Sequence, residues 1–322
     1  MNRRAFVTVL GAVLAAPLGA EAQQAAKVWR VGYAGLDRRN VNVEAFEHGL
    51  RGLGYVIGQN IVVDYRFSEG HVERLPGLID DLLRAGIDVL FAANPHAIRA
   101  AKRATTAVPI VGIDLETDPV GAGWVKTLGR PGGNLTGFFL DIPELSAKEV
   151  QLLVEAMPRL QRVAILWDAE LSASQFKATE SAAHSVKLKP QSLTFRQPEE
   201  FATAFGAARD QQAEALIVLS SPSVFIHLKH LADLALKYRL AAISVFPQFA
   251  HAGALMGYGP NLPDLFRRAA RYVDQIVKGA RPADLPIQRP VAFDLAINLK
   301  TAKALGLTIP PSLLLRADHV IE

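Results

Sequence analysis

Two dipeptides carry the most chemistry in this 322-residue chain, Asn94-Pro95 and Ser221-Pro222. Each sets a helix-capping side chain directly before a proline at the first helical position. Each also follows a strand-like apolar run, Asp88 to Ala93 (DVLFAA) in one case and Ala215 to Leu219 (ALIVL) in the other. A helix that begins at the carboxyl end of a parallel strand offers unpaired N–H groups and positive partial charge, which suits a small anionic or zwitterionic ligand. Two such edges facing each other would form a cleft. Asp37, Asp114, Glu116 and Asp168 follow other strand-like runs and could hold an ammonium. Phe246 and Tyr258 could stack on a planar ligand. The same residue types also serve as ordinary caps, turns and core.

The elements that must position these groups alternate as strand and helix. In the first half Trp29 to Gly35, Asn60 to Phe67, Asp88 to Ala93 and Pro109 to Asp114 read as strands, with helices at Val43 to Leu53 and Val72 to Ala85 and a further one opened by Asn94-Pro95. The second half repeats the plan from Arg162 to Asp168, through helix Ser174 to Ser185, strand Pro190 to Phe195 and helix Pro198 to Ala208. Pro95 lies nearly as far beyond Val31 as Pro222 lies beyond Val163. The pattern predicts two versions of one doubly wound α/β unit with parallel sheets. The tail holds an amphipathic helix, Leu262 to Lys278, a strand, Arg289 to Asn298, and a helix, Leu299 to Leu305, and is expected to recross between the halves.

Between the halves lies Asp118 to Gly137 (DPVGAGWVKTLGRPGGNLTG), too rich in glycine for a helix and too punctuated for one strand. It reads as the crossing where the two halves meet. Asn134 and Thr136 place polar groups there, for ligand binding or for turn satisfaction.

Residues 1–22 are expected to be an export signal: Arg3-Arg4, an apolar run from Phe6 to Leu18, then Ala20-Glu21-Ala22 with cleavage before Gln23. Arg3-Arg4-Ala5-Phe6 also fits a twin-arginine signal. The chain has no cysteine, which excludes a lipid-carrying cysteine, a disulfide, a thiolate metal site and a catalytic thiol. A net charge of +4 without basic runs or interleaved aromatics argues against nucleic acid. Roughly 300 residues beyond the signal suit two lobes better than one core.

Motifs of catalysis are missing from the sequence. It holds no G-x-S-x-G, H-E-x-x-H or P-loop, and no G-x-G-x-x-G after the first strand. His227 and His230 share a helix face without a third metal ligand in view. No cofactor or metal is expected.

Several ordered blocks resemble the substrate-binding proteins of ABC transporters, the family that includes binders of tryptophan and related aromatic amino acids. They are Gly52 to Val56 (GLGYV) with Gly58 to Ile61 (GQNI), Asp118 to Gly123 (DPVGAG), Pro131 to Gly137 (PGGNLTG), Gly253 to Leu255 (GAL), Lys278 to Pro286 (KGARPADLP) and Asn298 to Leu307 (NLKTAKALGL). The resemblance implies a type I periplasmic binding protein, with two doubly wound parallel-sheet lobes joined by a multi-segment hinge. Residues 28–138 would form lobe 1, with part of the 262–322 tail recrossing to it, and residues 139–261 would form lobe 2. It also implies a monomer in the periplasm that takes a small carboxylate or amino acid and serves a permease and an ATPase encoded elsewhere. The ligand contacts would come from Asp37, Asn94, Pro95, Asp114, Asn134, Thr136, Asp168, Ser220, Ser221, Phe246 and Tyr258. Amino-acid-binding members often carry an acidic residue after the second lobe's central strand; here the position reads Ser220-Ser221, without the usual ammonium partner. A sensor subunit docking on a membrane kinase would use the same cleft, and an exported α/β hydrolase is the catalytic alternative.

Overall fold

The computed structural model describes residues 27–38, 41–140 and 142–322; the expected export signal lies outside them. Strands β1 (Trp29–Gly35), β2 (Ile61–Phe67), β3 (Val89–Ala92), β4 (Ile110–Asp114) and β5 (Leu135–Phe139) form a parallel sheet in the order β2-β1-β3-β4-β5. Helices α1 (Val41–Gly52), α2 (Leu75–Arg84) and α3 (Pro95–Ala104) make its crossovers. With helices on both faces the central strands β3 and β4 are buried at every residue, while the edge strand β2 keeps Asp64 and Arg66 half-buried.

The second lobe opens with α4 (Ile142–Ala156) and continues through β6 (Arg162–Asp168), α5 (Ala173–Ser185), β7 (Lys189–Phe195), α6 (Phe201–Asp210), β8 (Ala215–Val218), α7 (Pro222–Ile226), α8 (Leu228–Lys237), β9 (Ala241–Ser244), α9 (Gln248–His251) and β10 (Met256–Pro260). Its sheet runs β12-β11-β10-β9-β8-β6-β7. The run β7-β6-β8-β9-β10 repeats the order of the first sheet, so the two halves share one plan. After α10 (Leu262–Val277) come β11 (Phe293–Asn298), α11 (Leu299–Leu305), α12 (Pro311–Leu314) and β12 (His319–Ile321). Only β11 is antiparallel to its β10 neighbour, because the chain re-enters this sheet from the other lobe.

Helix α10 packs on the first lobe. A Cβ at Gly49 of α1 would stand 2.4 Å from the Arg267 carbonyl oxygen, so only glycine lets the two helices approach this closely. The chain therefore passes between lobes after β5, between β10 and α10, and again before β11. Asn261 ties two of the passages: its N–H donates to the Ala292 carbonyl at 3.0 Å and its side-chain amide to Asp294 at 2.8 Å.

The stretch from Asp118 to Gly137 differs from the crossing expected of it. It leaves the carboxyl end of β4 and returns to start β5 beside the same strand, all within the first lobe. Pro119, Pro131 and the glycines prevent a helix there, so the connection is made of turns. At its end Gly137, with φ +134°, pairs with Gly112, and a Cβ on it would lie 2.0 Å from the Gly112 carbonyl oxygen.

Candidate ligand site between the lobes

The carboxyl ends of the two sheets face each other across one cavity. Tyr33 at the end of β1, Asn94-Pro95 after β3 and Glu116 after β4 come from the first lobe, while Ser221-Pro222 after β8 and Phe246 after β9 come from the second. The empty space between the lobes, its open mouth included, is about 560 Å³. Phe225, Phe246, Phe266, Leu36 and Leu262 give it apolar walls. Phe225 and Phe246 meet edge to face, with centroids 5.1 Å apart.

The two caps are built alike. Asn94 Oδ1 accepts from the Ala97 N–H at 2.9 Å, and Ser221 Oγ accepts from the Val224 N–H at 3.2 Å, each from an extended backbone. The caps differ in what remains. Asn94 is 5% exposed and its Nδ2 has no hydrogen-bond partner among the described residues, which leaves a buried donor on the cavity wall. Among the described residues the first turns of α1, α3 and α10 all reach the cavity, through Asn42, Pro95 and Leu262.

Acidic groups make up the floor. Asp114 Oδ1 accepts from the Glu116 and Thr117 N–H groups at 2.8 and 2.9 Å, which turns the chain at the end of β4 and points Glu116 into the cavity. The Glu116 carboxylate accepts from the Ser220 hydroxyl of the other lobe and from the Leu115 N–H at 3.2 Å. Ser220 is itself clamped: its N–H donates to Gln175 Oε1 at 3.0 Å and its carbonyl accepts from the Ser172 hydroxyl at 2.8 Å. Burial, and then the Asp114 carboxylate beside it, push the Glu116 carboxyl well above the ordinary carboxylate range. Burial also raises Asp114, against the amides of Glu116 and Thr117 that hold it back.

The lobes also touch at the mouth. Arg99 of α3 pairs with Glu170 of the second lobe at 3.1 Å, and Asp168 and His96 lie beside this pair. Burial, the largest effect, raises the Asp168 carboxyl and lowers the His96 imidazole. With lobe-to-lobe bonds at both floor and mouth, the two lobes are closed on each other.

The family model described as ABC transporter substrate binding protein matches residues 35–321. The chain belongs to this family. Substrate-binding proteins are solute receptors, not enzymes. A tyrosine-binding protein of Clostridioides difficile (strain R20291) is 22% identical over 269 residues, which span 82% of this chain and 76% of that protein. A solved conserved domain protein from Vibrio cholerae superposes with a TM-score of 0.85 at 24% identity, over 91% of this chain and 100% of that one. A Streptococcus pneumonia ABC domain solved with L-Trp gives 0.84 at 23% identity, over 91% and 99%. These likenesses place the substrate-binding protein in the type I periplasmic-binding fold, as do more distant sugar- and leucine-binding structures.

Of the sequence-derived candidates, Asp37, Asn94, Pro95, Ser221 and Phe246 line the cavity. Asp114 and Ser220 stand just behind it, as the partners that position Glu116. Asp168 sits at the mouth. The remaining three are placed elsewhere. Asn134 lies at the amino end of β5, where it accepts from Lys102 at 3.0 Å and donates to the Thr105 and Val108 carbonyls at 3.0 and 2.9 Å. Thr136 is fully buried within β5 and donates to the Leu285 carbonyl at 2.9 Å. Tyr258 stacks on Phe293, 6.0 Å between centroids, in a separate groove along the hinge with Arg289.

The sequence reading passed over Phe225 and Phe266. Phe225 stands three residues beyond Pro222 and Phe266 one turn into the amphipathic α10. A face count from each helix start would have flagged both.

Proposed function

We propose that this protein is the periplasmic receptor of an ABC uptake transporter, and that it binds a small carboxylate or amino acid with an apolar, aromatic body in the interlobe cavity. One observation carries the reading: Asn94-Pro95 and Ser221-Pro222, one pair from each lobe, line the same cavity. The three phenylalanines there give walls against which a flat apolar body would pack. The name of the Clostridioides relative and the L-Trp complex of the Streptococcus domain support an aromatic solute.

In this reading a solute that contacts both lobes binds the closed arrangement better than the open one and so shifts the population toward it. A permease and its ATPase, separate chains, then respond to the closed form. The contacts fall to Asn94, Ser221, Phe225, Phe246 and Phe266, with Asp37 and Glu116 at the polar end. Asn134 and Thr136 act as internal supports of β5. Residues 1–22 direct export and the mature protein works as a monomer.

The test is a thermal-shift screen of aromatic and aliphatic amino acids and their carboxylate analogues, followed by isothermal titration. Stabilisation by aromatic members with one site per chain is expected. A panel in which no compound raises the melting temperature contradicts the reading.

A further inference from the structure

The outer face of α10 carries positive charge that its neighbours do not compensate. Toward the interlobe cavity this helix presents Leu262 and Phe266. On the outside, Arg267, Arg268 and Arg271 line a second groove along its seam with α1, whose empty space, open mouth included, is about 820 Å³. The opposite wall is largely bare backbone. Gly49 of α1 sits against the Arg267 carbonyl, and a Cβ at Gly52 would meet nothing within 4 Å, so no side chain from these two positions fills the trough. The only carboxylate among the described residues that line it is Asp264. Asp264 pairs with Arg267 and lies 3.7 Å from Arg268. Arg268 is held in place from behind, donating to Gln288 at 2.8 Å and lying 5.0 Å from the Phe138 ring centroid. Arg271 is exposed and makes no hydrogen bond or ion pair with a described residue. Its nearest acidic neighbour on the helix, Asp274, is already engaged by Lys278 at 2.7 Å and by the Tyr55 hydroxyl at 2.9 Å. Three guanidinium groups thus share one carboxylate.

We infer that this groove is an oxyanion site that takes a phosphate group, separate from the solute cleft. Arg267 and Arg271 are four positions apart and therefore stand on one side of α10, where like charges repel each other while the groove is empty. A phosphate between them turns that repulsion into attraction. Each planar guanidinium can donate two parallel N–H bonds to neighbouring oxygens, and a tetrahedral dianion has oxygens enough for Arg271 and Arg267 while Arg268 keeps its bond to Gln288. A carboxylate on the facing positions of α1 would have quenched the charge; α1 places His48, Gly49 and Gly52 there instead. The phosphate belongs either to a soluble phosphate or phosphate ester or to the headgroup of an anionic phospholipid, since the recognising chemistry is the same. Because the groove is open to water, its affinity falls as salt rises.

The experiment is isothermal titration and thermal shift of the mature protein with inorganic phosphate and with pyrophosphate, each against sodium chloride of equal ionic strength, together with flotation on vesicles of phosphatidylglycerol or of phosphatidylcholine. Phosphate or phosphatidylglycerol is expected to bind beyond its control. Arg271→Gln removes an exposed side chain without a partner, so it should leave the melting temperature of the free protein unchanged and weaken binding about tenfold, the lower end for a hydrogen bond to a charged group. Arg267→Gln, whose pair with Asp264 is exposed, should repeat the loss. Lys229→Gln, which removes an exposed cation on α8 of the other lobe, should change nothing. Flotation with phosphatidylglycerol that R271Q abolishes assigns the phosphate to a lipid headgroup; binding of phosphate or pyrophosphate without flotation assigns it to a soluble phosphate. Phosphate and pyrophosphate acting no more strongly than chloride with no flotation on either vesicle, or R267Q and R271Q binding as tightly as wild type, overturns the inference. Solute binding in the interlobe cavity is read separately and does not depend on this outcome.

Discussion

Asn94 performs two tasks with two different atoms, so one substitution can separate them. Its Oδ1 caps α3 by accepting from the Ala97 N–H at 2.9 Å, while its Nδ2 is buried and without a partner among the described residues, in a residue that lines the cavity. Asn94→Asp preserves the acceptor, and the helix N-terminus offsets part of the cost of the buried charge, so N94D keeps the cap that N94A loses. The same change deletes the donor and sets a carboxylate where the solute's carboxylate should lie. A hydrogen bond to a charged group is worth about 1.5–3 kcal/mol, so affinity should fall about ten- to a hundredfold before repulsion is counted. Asn94→Ala removes both functions: the same loss of binding, and about 1 kcal/mol of stability with the cap. Urea unfolding at equilibrium measures the first effect and isothermal titration with the best ligand of the screen the second. Wild-type affinity in N94D would refute the role given to Nδ2. Equal destabilisation of N94D and N94A would refute the role given to the cap.

Other expectations concern the scaffold and its buried charge. Gly137→Ala drives a Cβ to within 2.0 Å of the Gly112 carbonyl oxygen at a φ of +134°, and should cost at least about 3 kcal/mol by strain at the β4–β5 pairing; an unchanged urea midpoint would contradict this. Glu149 on α4 is 3% exposed, its Oε1 has no partner among the described residues, and burial pushes its carboxyl well above the ordinary range. A carboxyl raised in the folded state supports folding below its unfolded pKa and loses that support as pH rises toward the folded value. Glu149→Gln should thus gain about 1–3 kcal/mol over wild type near pH 8 and close to nothing near pH 4; a difference that does not vary with pH would count against a buried, titrating Glu149.

Much of the architecture could be read from residue order because it is local. Arg162 to Asp168 became β6 and Leu299 to Leu305 became α11, both unchanged, and the caps at Asn94 and Ser221 followed from a polar residue, a proline and a preceding apolar run. Short buried strands were harder. β9 is only Ala-Ala-Ile-Ser, which carries no period to detect, and α4 opens on Ile142-Pro143 within an apolar stretch that signals neither helix nor strand. The expected strand from Arg289 begins only at Phe293, since Pro290 lies in the passage between lobes. Tertiary pairings were out of reach altogether. Glu116 and Ser220 are 104 residues apart and meet only because the lobes close. Asn134 and Thr136 looked available for a ligand, yet Asn134 is held by Lys102 and the Thr105 and Val108 carbonyls and Thr136 by the Leu285 carbonyl.

A crystal structure of the mature protein grown with the ligand selected by the screen tests the central claim most directly. Solute density between Pro95 and Pro222, against Phe225 and Phe246, is the predicted result. Density only in the Tyr258–Arg289 groove, or ligand held by one lobe while the sheet edges splay apart, would contradict it.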